Sequence, residues 1–261
     1  MSVHIAWERR GAGEPLLLIH GLGYARWGWE PVLPELAALF DVLLFDNRGI
    51  GESDAPPGPY TVEQLAADAV QVLDEAGVER AHVVGTSLGG MVAQELALSY
   101  PERVDRLVLA CTTPGGSGAH PMPQGTVALI ALAATLEPDV ALRRYVENAL
   151  APATPTEHPA LVEEILAHRL TAPQDPVAWV AQASAGAAFD RFDRMAEIAA
   201  VTLVQTGTED GVVDPRNSKL LAEAIPSARL ERFAGAGHLF FWEQPEAFVE
   251  SVTRFLEDRG R

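Results

Sequence analysis

The chain has 261 residues, of which 48% are hydrophobic and 21% charged, a composition typical of a globular protein with a sizeable core. Its 19 Lys and Arg residues against 36 Asp and Glu residues give a formal net charge of −17. A surface this acidic repels phosphate backbones and anionic lipid headgroups, so nucleic acid and membranes are not expected partners.

The single cysteine, Cys111, excludes an internal disulfide, and its apolar surroundings predict a small buried side chain. The first residues show no basic segment leading into an apolar one. No stretch approaches the ~18 charge-free apolar residues that a membrane span needs. We therefore expect a cytoplasmic protein.

Strands and helices alternate through the first part of the chain. Residues 3–8 partly alternate between apolar and polar side chains, and short apolar runs follow that are typical of strands buried on both faces. These predicted strands are 16–19, 42–45, 82–85 and 104–110. The predicted helices are 31–39, 62–76 and 88–99, the second with a capping box at 61–64 and a stop at Gly77. This alternation predicts right-handed βαβ units and a parallel sheet.

The pattern changes after residue 113. No strand is predicted from 114 to 199, and prolines separate four predicted helices at 125–136, 139–150, 158–170 and 175–188. Alternation resumes with a strand at 202–205, a helix at 216–225, a strand at 229–233 and a last helix from Pro245. The predicted organisation is an α/β core of residues 1–113 and 200–261, interrupted by an all-helical cap at 114–199.

The motif Gly85-Thr86-Ser87-Leu88-Gly89 lies between a predicted strand and a predicted helix, which is the context that the G-x-S-x-G pattern requires. A strand that turns at once into a helix strains its turn residue and points its side chain out of the sheet. Glycines two positions away avoid a clash there. The helix N-terminus also offers free N–H groups to a developing negative charge. Ser87 is therefore the predicted nucleophile.

A serine hydroxyl needs a base, and the base needs an orienting carboxylate. His238 follows the predicted strand 229–233, at the sheet edge where parallel strands present their sites. The predicted carboxylate is Asp210, which follows strand 202–205 in a turn between two glycines. Asp214 lies in the same region, but Pro215 directly follows it and predicts a helix cap. The remaining histidines outside the glycine loop at 20–23 are expected to be solvated or core residues, namely His4, His82, His120, His158 and His168.

An oxyanion hole needs two backbone N–H groups. One is predicted to come from Leu88, the residue after the nucleophile. The loop His20-Gly21-Leu22-Gly23 follows a buried strand, and Leu22 is the candidate for the second. Tyr24 and Trp27, which follow this loop, and Leu239, beside the predicted base, are the candidate substrate contacts.

The order of Ser87, Asp210 and His238, with His20-Gly21 at a strand end, resembles the α/β-hydrolase superfamily. The segment 46–53 resembles the D-x-R-G-x-G-x-S stretch of its smaller capped members, and 235–245 resembles the usual histidine segment. The passage 181–203 is most similar to the 3-oxoadipate enol-lactonase and small carboxylesterase group. The resemblance implies a mostly parallel twisted sheet of seven or eight strands flanked by helices. It also implies that the inserted cap roofs the active site, and that Asp46 and Arg48 tie a loop in place.

These features predict a serine hydrolase that cleaves a carboxylic ester of a small or medium, mostly apolar substrate through an acyl-enzyme. Lactone hydrolysis, perhydrolysis of the cofactor-free haloperoxidase kind and carbon–carbon bond hydrolysis use the same residues and stay open. A ligand-binding receptor with a slow or vestigial triad is the alternative from another class. The sequence lacks paired metal ligands and glycine motifs for phosphate or dinucleotides, so no metal or organic cofactor is expected. No pattern sets the oligomeric state.

Overall fold

A seven-stranded sheet forms the centre of the computed structural model, which describes residues 3–258. The strand order is β1-β3-β2-β4-β5-β6-β7, and of these pairings only β1 with β3 is antiparallel. The strands are β1 Trp7–Gly11, β2 Glu14–Ile19, β3 Phe40–Phe45, β4 Ala81–Thr86, β5 Val104–Ala110, β6 Val201–Gly207 and β7 Ala228–Phe233. The mostly parallel sheet is thus confirmed, with the smaller of the two expected strand numbers.

Eleven α-helices accompany the sheet in the described range. They are α1 Leu33–Ala37, α2 Val62–Glu75, α3 Leu88–Ser99, α4 Gln124–Ala133, α5 Pro138–Ala149, α6 Thr154–Glu157, α7 Pro159–Thr171, α8 Pro176–Ala187, α9 Arg216–Ala224, α10 Phe240–Glu243 and α11 Pro245–Glu257. Short 3₁₀ helices lie at Arg26–Trp29, Pro101–Arg103 and Phe192–Glu197. Among residues 3–258, no helix is long and apolar enough to cross a membrane.

Successive side chains of the central strands enter two separate cores. Leu17 and Ile19 of β2 pack into one cluster with α2 and α3, whereas Leu16 and Leu18 pack into a second cluster with α11. Strand side chains alternate between the two faces of a sheet, so an uninterrupted apolar run fits a strand that is covered on both sides. Each such buried side chain contributes about 1.5–3 kcal/mol relative to an exposed one.

Two predicted elements were wrong at their boundaries. The first strand runs from Trp7 to Gly11, not over 3–8, because its register is set by antiparallel pairing with β3 at the sheet edge. Its exposed residues are Arg9, Arg10 and Gly11, which give no apolar alternation. The first helix is confined to Leu33–Ala37, short of the predicted 31–39, and Leu39 beyond it is 47% exposed.

Helices α4–α8 all lie between β5 and β6 in the chain, and we refer to them as the helical insertion. The chain passages that enter and leave the insertion pair with each other. Gly115 and Asp190 form an antiparallel bridge, the Gly116 N–H donates to the carbonyl of Phe189, and the Arg191 N–H donates to that of Pro114. The bounds 114–199 for a separate cap unit stay a prediction.

Candidate active site

Ser87 occupies the sharp turn between β4 and α3. Its backbone has φ +53° and ψ −118°, a conformation that a non-glycine residue keeps only when its surroundings enforce it. The Ser87 N–H donates to the Ala110 carbonyl (2.9 Å), and the Thr112 hydroxyl donates to the Ser87 carbonyl (2.8 Å). These bonds to the end of β5 and the loop after it hold the strained turn, and Ser87 stays partly exposed.

The glycines of the motif allow a close approach of backbone to backbone. A Cβ on Gly85 would lie 2.3 Å from the carbonyl oxygen of Gly89. A Cβ on Gly89 would lie 2.1 Å from the Ile19 carbonyl oxygen and 2.7 Å from that of His20. Helix α3 therefore passes directly against the end of β2, which brings the turn beside the glycine loop.

His238 and Asp210 form a buried pair. The imidazole Nδ1 lies 2.8 Å from Asp210 Oδ2, and the Asp210 carboxylate is fully buried. Asp210 Oδ1 accepts the N–H groups of Val212 (2.8 Å) and Val213 (2.9 Å), which fix the carboxylate. An ionised carboxylate only accepts hydrogen bonds, so Nδ1 carries the proton and Nε2 is left with a free lone pair.

Ser87 lies at the same edge of the sheet as this pair. Cys111 links the two, because its thiol lies beside the Ser87 backbone and within reach of the Asp210 charge; burial, helped by that charge, raises the pKa of the thiol well above its usual value. In the part of the chain that the structure describes, no hydrogen bond joins Ser87 Oγ to His238. The structure thus pairs Asp210 with His238 and leaves Ser87 Oγ unattached.

Asp214, the alternative carboxylate, contacts Arg216 and not His238. Its side chain accepts the backbone N–H of Arg216 (2.9 Å) and pairs with the guanidinium of the same residue. The Arg216 side chain holds the pKa of this carboxyl below its usual value. Asp214 therefore accepts the first N–H of α9, whose N-cap residue is Pro215 and not Asp214 as the sequence suggested.

The glycine loop lies against Ser87 and is held by hydrogen bonds at its first two residues, His20 and Gly21. A Cβ on Gly21 would lie 2.9 Å from Ser87 Cβ and 3.5 Å from Ser87 Oγ. The Gly21 N–H donates to His20 Nδ1 (2.7 Å), and the Asn47 amide donates to the His20 carbonyl (2.9 Å). Across residues 3–258, the backbone N–H groups of Leu22 and Leu88 have no hydrogen-bond acceptor. Two free donors therefore flank the serine.

His20 supports this loop as a neutral imidazole. Burial lowers the pKa of His20 to about 3, and the charges of His238 and Arg169 act in the same direction. The ring stacks on Tyr24, with centroids 4.7 Å apart and planes 16° apart. A neutral imidazole can keep Nδ1 as the acceptor for Gly21, which sequence reasoning had treated only as part of a loop motif.

The three candidate substrate contacts differ in exposure. Tyr24 is 8% exposed and lies between His20 and Trp27, while Leu239 is 2% exposed. Trp27 is partly exposed and stacks on His168, with centroids 4.7 Å and planes 4° apart. Contact of these residues with a substrate stays a prediction.

The helical insertion brings two further residues to the glycine loop. His168 stacks on Trp27 and lies 3.2 Å from the carboxylate of Glu30, and the Arg169 guanidinium lies 5.1 Å from the Tyr24 ring centroid. His168 was expected to be solvated or part of the core, and Arg169 was not singled out. Both lie in the last turn of α7, where the sequence pattern suggests only a favourable interaction with the helix dipole.

The loop after β3 is fixed by two acidic residues. Asp46 accepts the backbone N–H groups of Arg26 (2.7 Å) and Glu52 (3.0 Å). Arg48 forms two 2.6 Å hydrogen bonds with Asp68 of α2. Asp46 and Arg48 therefore hold this loop through different partners. Among residues 3–258, no three His, Cys, Asp or Glu side chains are grouped to hold a metal ion.

A mostly parallel sheet with a strained serine after one strand and a carboxylate-paired histidine after the last defines a class of protein. The family model described as alpha/beta hydrolase fold matches residues 14–245, and the chain belongs to this family. The protein is a hydrolase.

Its relatives carry several hydrolase names. A protein of Azorhizobium caulinodans provisionally named carbamate hydrolase RutD is 33% identical, over 95% of this chain and 93% of its own. The 2-hydroxy-6-oxo-6-phenylhexa-2,4-dienoate hydrolase of Comamonas testosteroni is 33% identical, over 98% and 92%. The solved structure of the enol-lactonase from Burkholderia xenovorans LB400 superposes with a TM-score of 0.86 at 28% identity, covering 97% and 96% of the two chains.

Proposed function

We propose that this protein is a serine hydrolase that cleaves a carboxylic ester through an acyl-enzyme intermediate. The observation that carries the proposal is the 2.8 Å hydrogen bond between His238 Nδ1 and Asp210 Oδ2. It fixes the imidazole tautomer so that Nε2 can accept a proton, at the edge of the sheet where Ser87 sits on its strained turn. The acidic surface and the absence of a nucleic-acid motif favour a small-molecule substrate.

In the first half of the proposed reaction, Ser87 Oγ attacks the acyl carbon while its proton passes to His238 Nε2. The carbonyl oxygen becomes an oxyanion held by the N–H groups of Leu22 and Leu88, each worth about 3 kcal/mol in the transition state. The His238 proton then passes to the leaving alcohol oxygen, and the ester C–O bond breaks. Asp210 stabilises the transient imidazolium.

In the second half, His238 Nε2 takes a proton from water, whose oxygen attacks the acyl-enzyme carbon. The Ser87 Oγ bond to that carbon breaks, Oγ regains the proton, and the carboxylic acid leaves. Because Ser87 Oγ and His238 are not hydrogen-bonded in the described structure, we expect the bond to form as substrate binds. Such bonds are often long without substrate and shorten in the reacting complex.

The walls beside Ser87 support an apolar acyl group of small or medium size. Helix α8 presents Gly186 to this region, and a Cβ there would lie 3.2 Å from Leu88 Cδ1 and 3.6 Å from Met91 Sδ. Helix α8 therefore packs directly on these apolar side chains, so an acyl group would lie beside this contact and not between the two helices. An apolar wall of this kind discriminates between acyl lengths by about 10- to 200-fold per unfavourable methylene.

Lactone hydrolysis is the second candidate, supported by the structural similarity to an enol-lactonase. The same three side chains would open a ring ester, and the alcohol would stay attached to the product. The substrate panel therefore consists of p-nitrophenyl esters of rising acyl length together with five- and six-membered lactones. The ratio of kcat/KM values between the two groups decides between the candidates.

Ser87→Ala tests the nucleophile on this panel. We expect kcat to fall by about 10⁴-fold or more, with an unchanged thermal unfolding midpoint, because only the hydroxyl is removed. Ser99→Ala is the matched control: Ser99 is the last residue of α3, the helix that follows Ser87, its hydroxyl donates to Glu95, and its loss should leave kcat within twofold. Near-normal turnover by Ser87→Ala would remove Ser87 from the mechanism.

A further inference from the structure

The last turn of α7 rests on the glycine loop. A Cβ on Gly23 would lie 2.8 Å from Arg169 Nη1 and 2.9 Å from Nη2, so the guanidinium lies directly against the backbone next to Leu22. The same guanidinium lies over the Tyr24 ring at 5.1 Å from its centroid, within cation–π range. A residue of the helical insertion thus covers the segment that carries one proposed oxyanion donor.

A continuous set of contacts leads from Arg169 to the N–H groups of the loop. Tyr24, under the guanidinium, stacks on His20 at 4.7 Å. His20 Nδ1 in turn holds the N–H of Gly21 at 2.7 Å. Leu22 lies between Gly21, whose N–H is held by His20, and Gly23, against which the guanidinium lies.

A second residue of α7 anchors the following segment. His168 stacks on Trp27, whose ring lies 5.0 Å from that of Tyr24, and His168 Nε2 approaches Glu30 at 3.2 Å. Two successive side chains of the insertion therefore seat α7 on residues 23–30.

Arg169 carries its positive charge without a carboxylate partner among residues 3–258. The side chain is partly buried, and within residues 3–258 it forms no ion pair with a carboxylate. A guanidinium without a counter-charge leaves a positive potential around Gly23, the residue that follows the proposed oxyanion donor Leu22. Fixed positive charge at such a point favours the transition state over the neutral ester.

We propose that Arg169 is a positioning residue for the oxyanion hole, so that the hole is complete only when α7 is seated on the core. The inference rests on the proposed function, since it requires Leu22 to be an oxyanion donor. It ties catalysis to the state of the helical insertion. An enzyme with α7 displaced would bind ester and fail to stabilise its transition state.

The test compares Arg169→Met, Arg169→Lys and the control Arg144→Met on a soluble, neutral p-nitrophenyl ester. Arg144 is also an arginine of the insertion, but it is exposed and its ion-pair partner, Glu147, lies on its own helix. We expect Arg169→Met to lower kcat by about 10- to 100-fold with KM within about twofold, because the loss is one of alignment. Arg169→Lys keeps the charge without the planar face and should lose less. Arg144→Met should match the wild type.

A second readout separates positioning from folding and from substrate binding. A trifluoromethyl ketone adds to the serine hydroxyl and places an oxyanion in the hole, so its inhibition constant should rise by the same factor by which kcat/KM falls. A lowered melting temperature without that rise would show a merely structural role and overturn the inference. A loss confined to the KM of an ester bearing a carboxylate, with neutral esters unaffected, would also overturn it, as Arg169 would then be an anion contact.

Ser87→Ala, measured in parallel, distinguishes failure of the positioning role of Arg169 from failure of the proposed serine-hydrolase function. Full activity of Arg169→Met with an inactive Ser87→Ala refutes the positioning role alone. An active Ser87→Ala refutes the proposed function. If Arg169→Met does not fold, Tyr24→Leu breaks the same set of contacts from the core side and is expected to lower kcat with the same rise in the inhibition constant. Unchanged values for that variant overturn the inference.

Discussion

Gly89 shows how little space the nucleophile turn leaves for a side chain. A Cβ there would meet two backbone oxygens, at 2.1 Å from Ile19 and 2.7 Å from His20, and backbone atoms cannot swing aside as side chains do. We expect Gly89→Ala to lower the free energy of unfolding by about 1–3 kcal/mol, the usual effect of overpacking. It should also lower kcat, because any backbone shift moves Ser87 and Leu22 apart. Urea denaturation and ester hydrolysis measure the two effects.

Gly125 provides the matched control for that substitution. It lies in the first turn of α4, and no atom lies within 4 Å of the position of its Cβ. Alanine there should stabilise the protein by up to about 1 kcal/mol, because glycine loses more backbone entropy in a helix. A Gly89→Ala protein as stable as the wild type would contradict the close approach of α3 to β2.

The proposed catalytic residues could be selected from the sequence because their signals are local. Ser87 lies inside a five-residue pattern, and Asp210 and His238 each lie in a glycine-containing loop a few residues after a predicted strand. Parallel strands bring their carboxyl ends to one edge, so three local signals become one spatial prediction. Arg169 had no such signal, since its contact with residue 23 joins positions far apart in sequence through the packing of a helix that no pattern orients.

Among the elements, those with strong local chemistry were predicted best. Helix α2 begins at the capping box between Thr61 and Gln64 and is followed by Gly77 at φ +69°, as the sequence indicates. The predicted helix 158–170 corresponds to α7, which begins at Pro159 directly after His158, whereas the short α6 before it was not predicted. Strand β1 was misplaced because edge pairing, not apolar burial, decides its limits.

The ion pair between Arg48 and Asp68 joins the loop after β3 to α2, and the same loop receives α8, since the Gln182 amide donates to the Arg48 carbonyl at 2.6 Å. Both side chains are largely buried, at 12% and 4% exposure. We expect Arg48→Met to destabilise the protein by about 3–5 kcal/mol, because the Asp68 carboxylate is left buried without its partner. Replacing both residues, as Arg48→Met with Asp68→Leu, should recover most of that loss.

The pH dependence of the stability of Arg48→Met follows from the direction in which the pKa of Asp68 is shifted. Burial raises the pKa of Asp68 above its usual value even with Arg48 present. Without Arg48 the neutral acid is favoured further, so lowering the pH from 7.5 to 5 should reduce the destabilisation. Guanidinium denaturation at both pH values measures this. A destabilisation that grows on acidification would show that the lost packing of Arg48, not the carboxylate charge, is responsible.

At the scale of the whole molecule, the buried His20 makes the free energy of unfolding depend on pH. Its pKa is about 3 in the folded protein because of burial, against about 6.5 in an unfolded chain. Below about pH 6.5 His20 therefore binds a proton in the unfolded chain but not in the folded protein. The contribution of His20 to the free energy of unfolding is therefore fully present above about pH 6.5. It decreases as the pH falls, and about 2 kcal/mol of it is lost at pH 5. The glycine loop thus stays intact until the molecule itself unfolds.

His20→Asn isolates this contribution, because an asparagine Oδ1 can still accept the Gly21 N–H and does not titrate. The loss of unfolding free energy between pH 7.5 and pH 5 should be smaller in His20→Asn than in the wild type by about 2 kcal/mol. His158→Asn makes the same replacement at an exposed histidine and should leave the pH dependence of the wild type unchanged. Equal slopes for the wild type and His20→Asn would mean that acid destabilises the fold through other groups. They would also mean that the imidazole beside the proposed oxyanion donor takes up its proton without unfolding, so that its acceptor bond to Gly21 is lost in the native state.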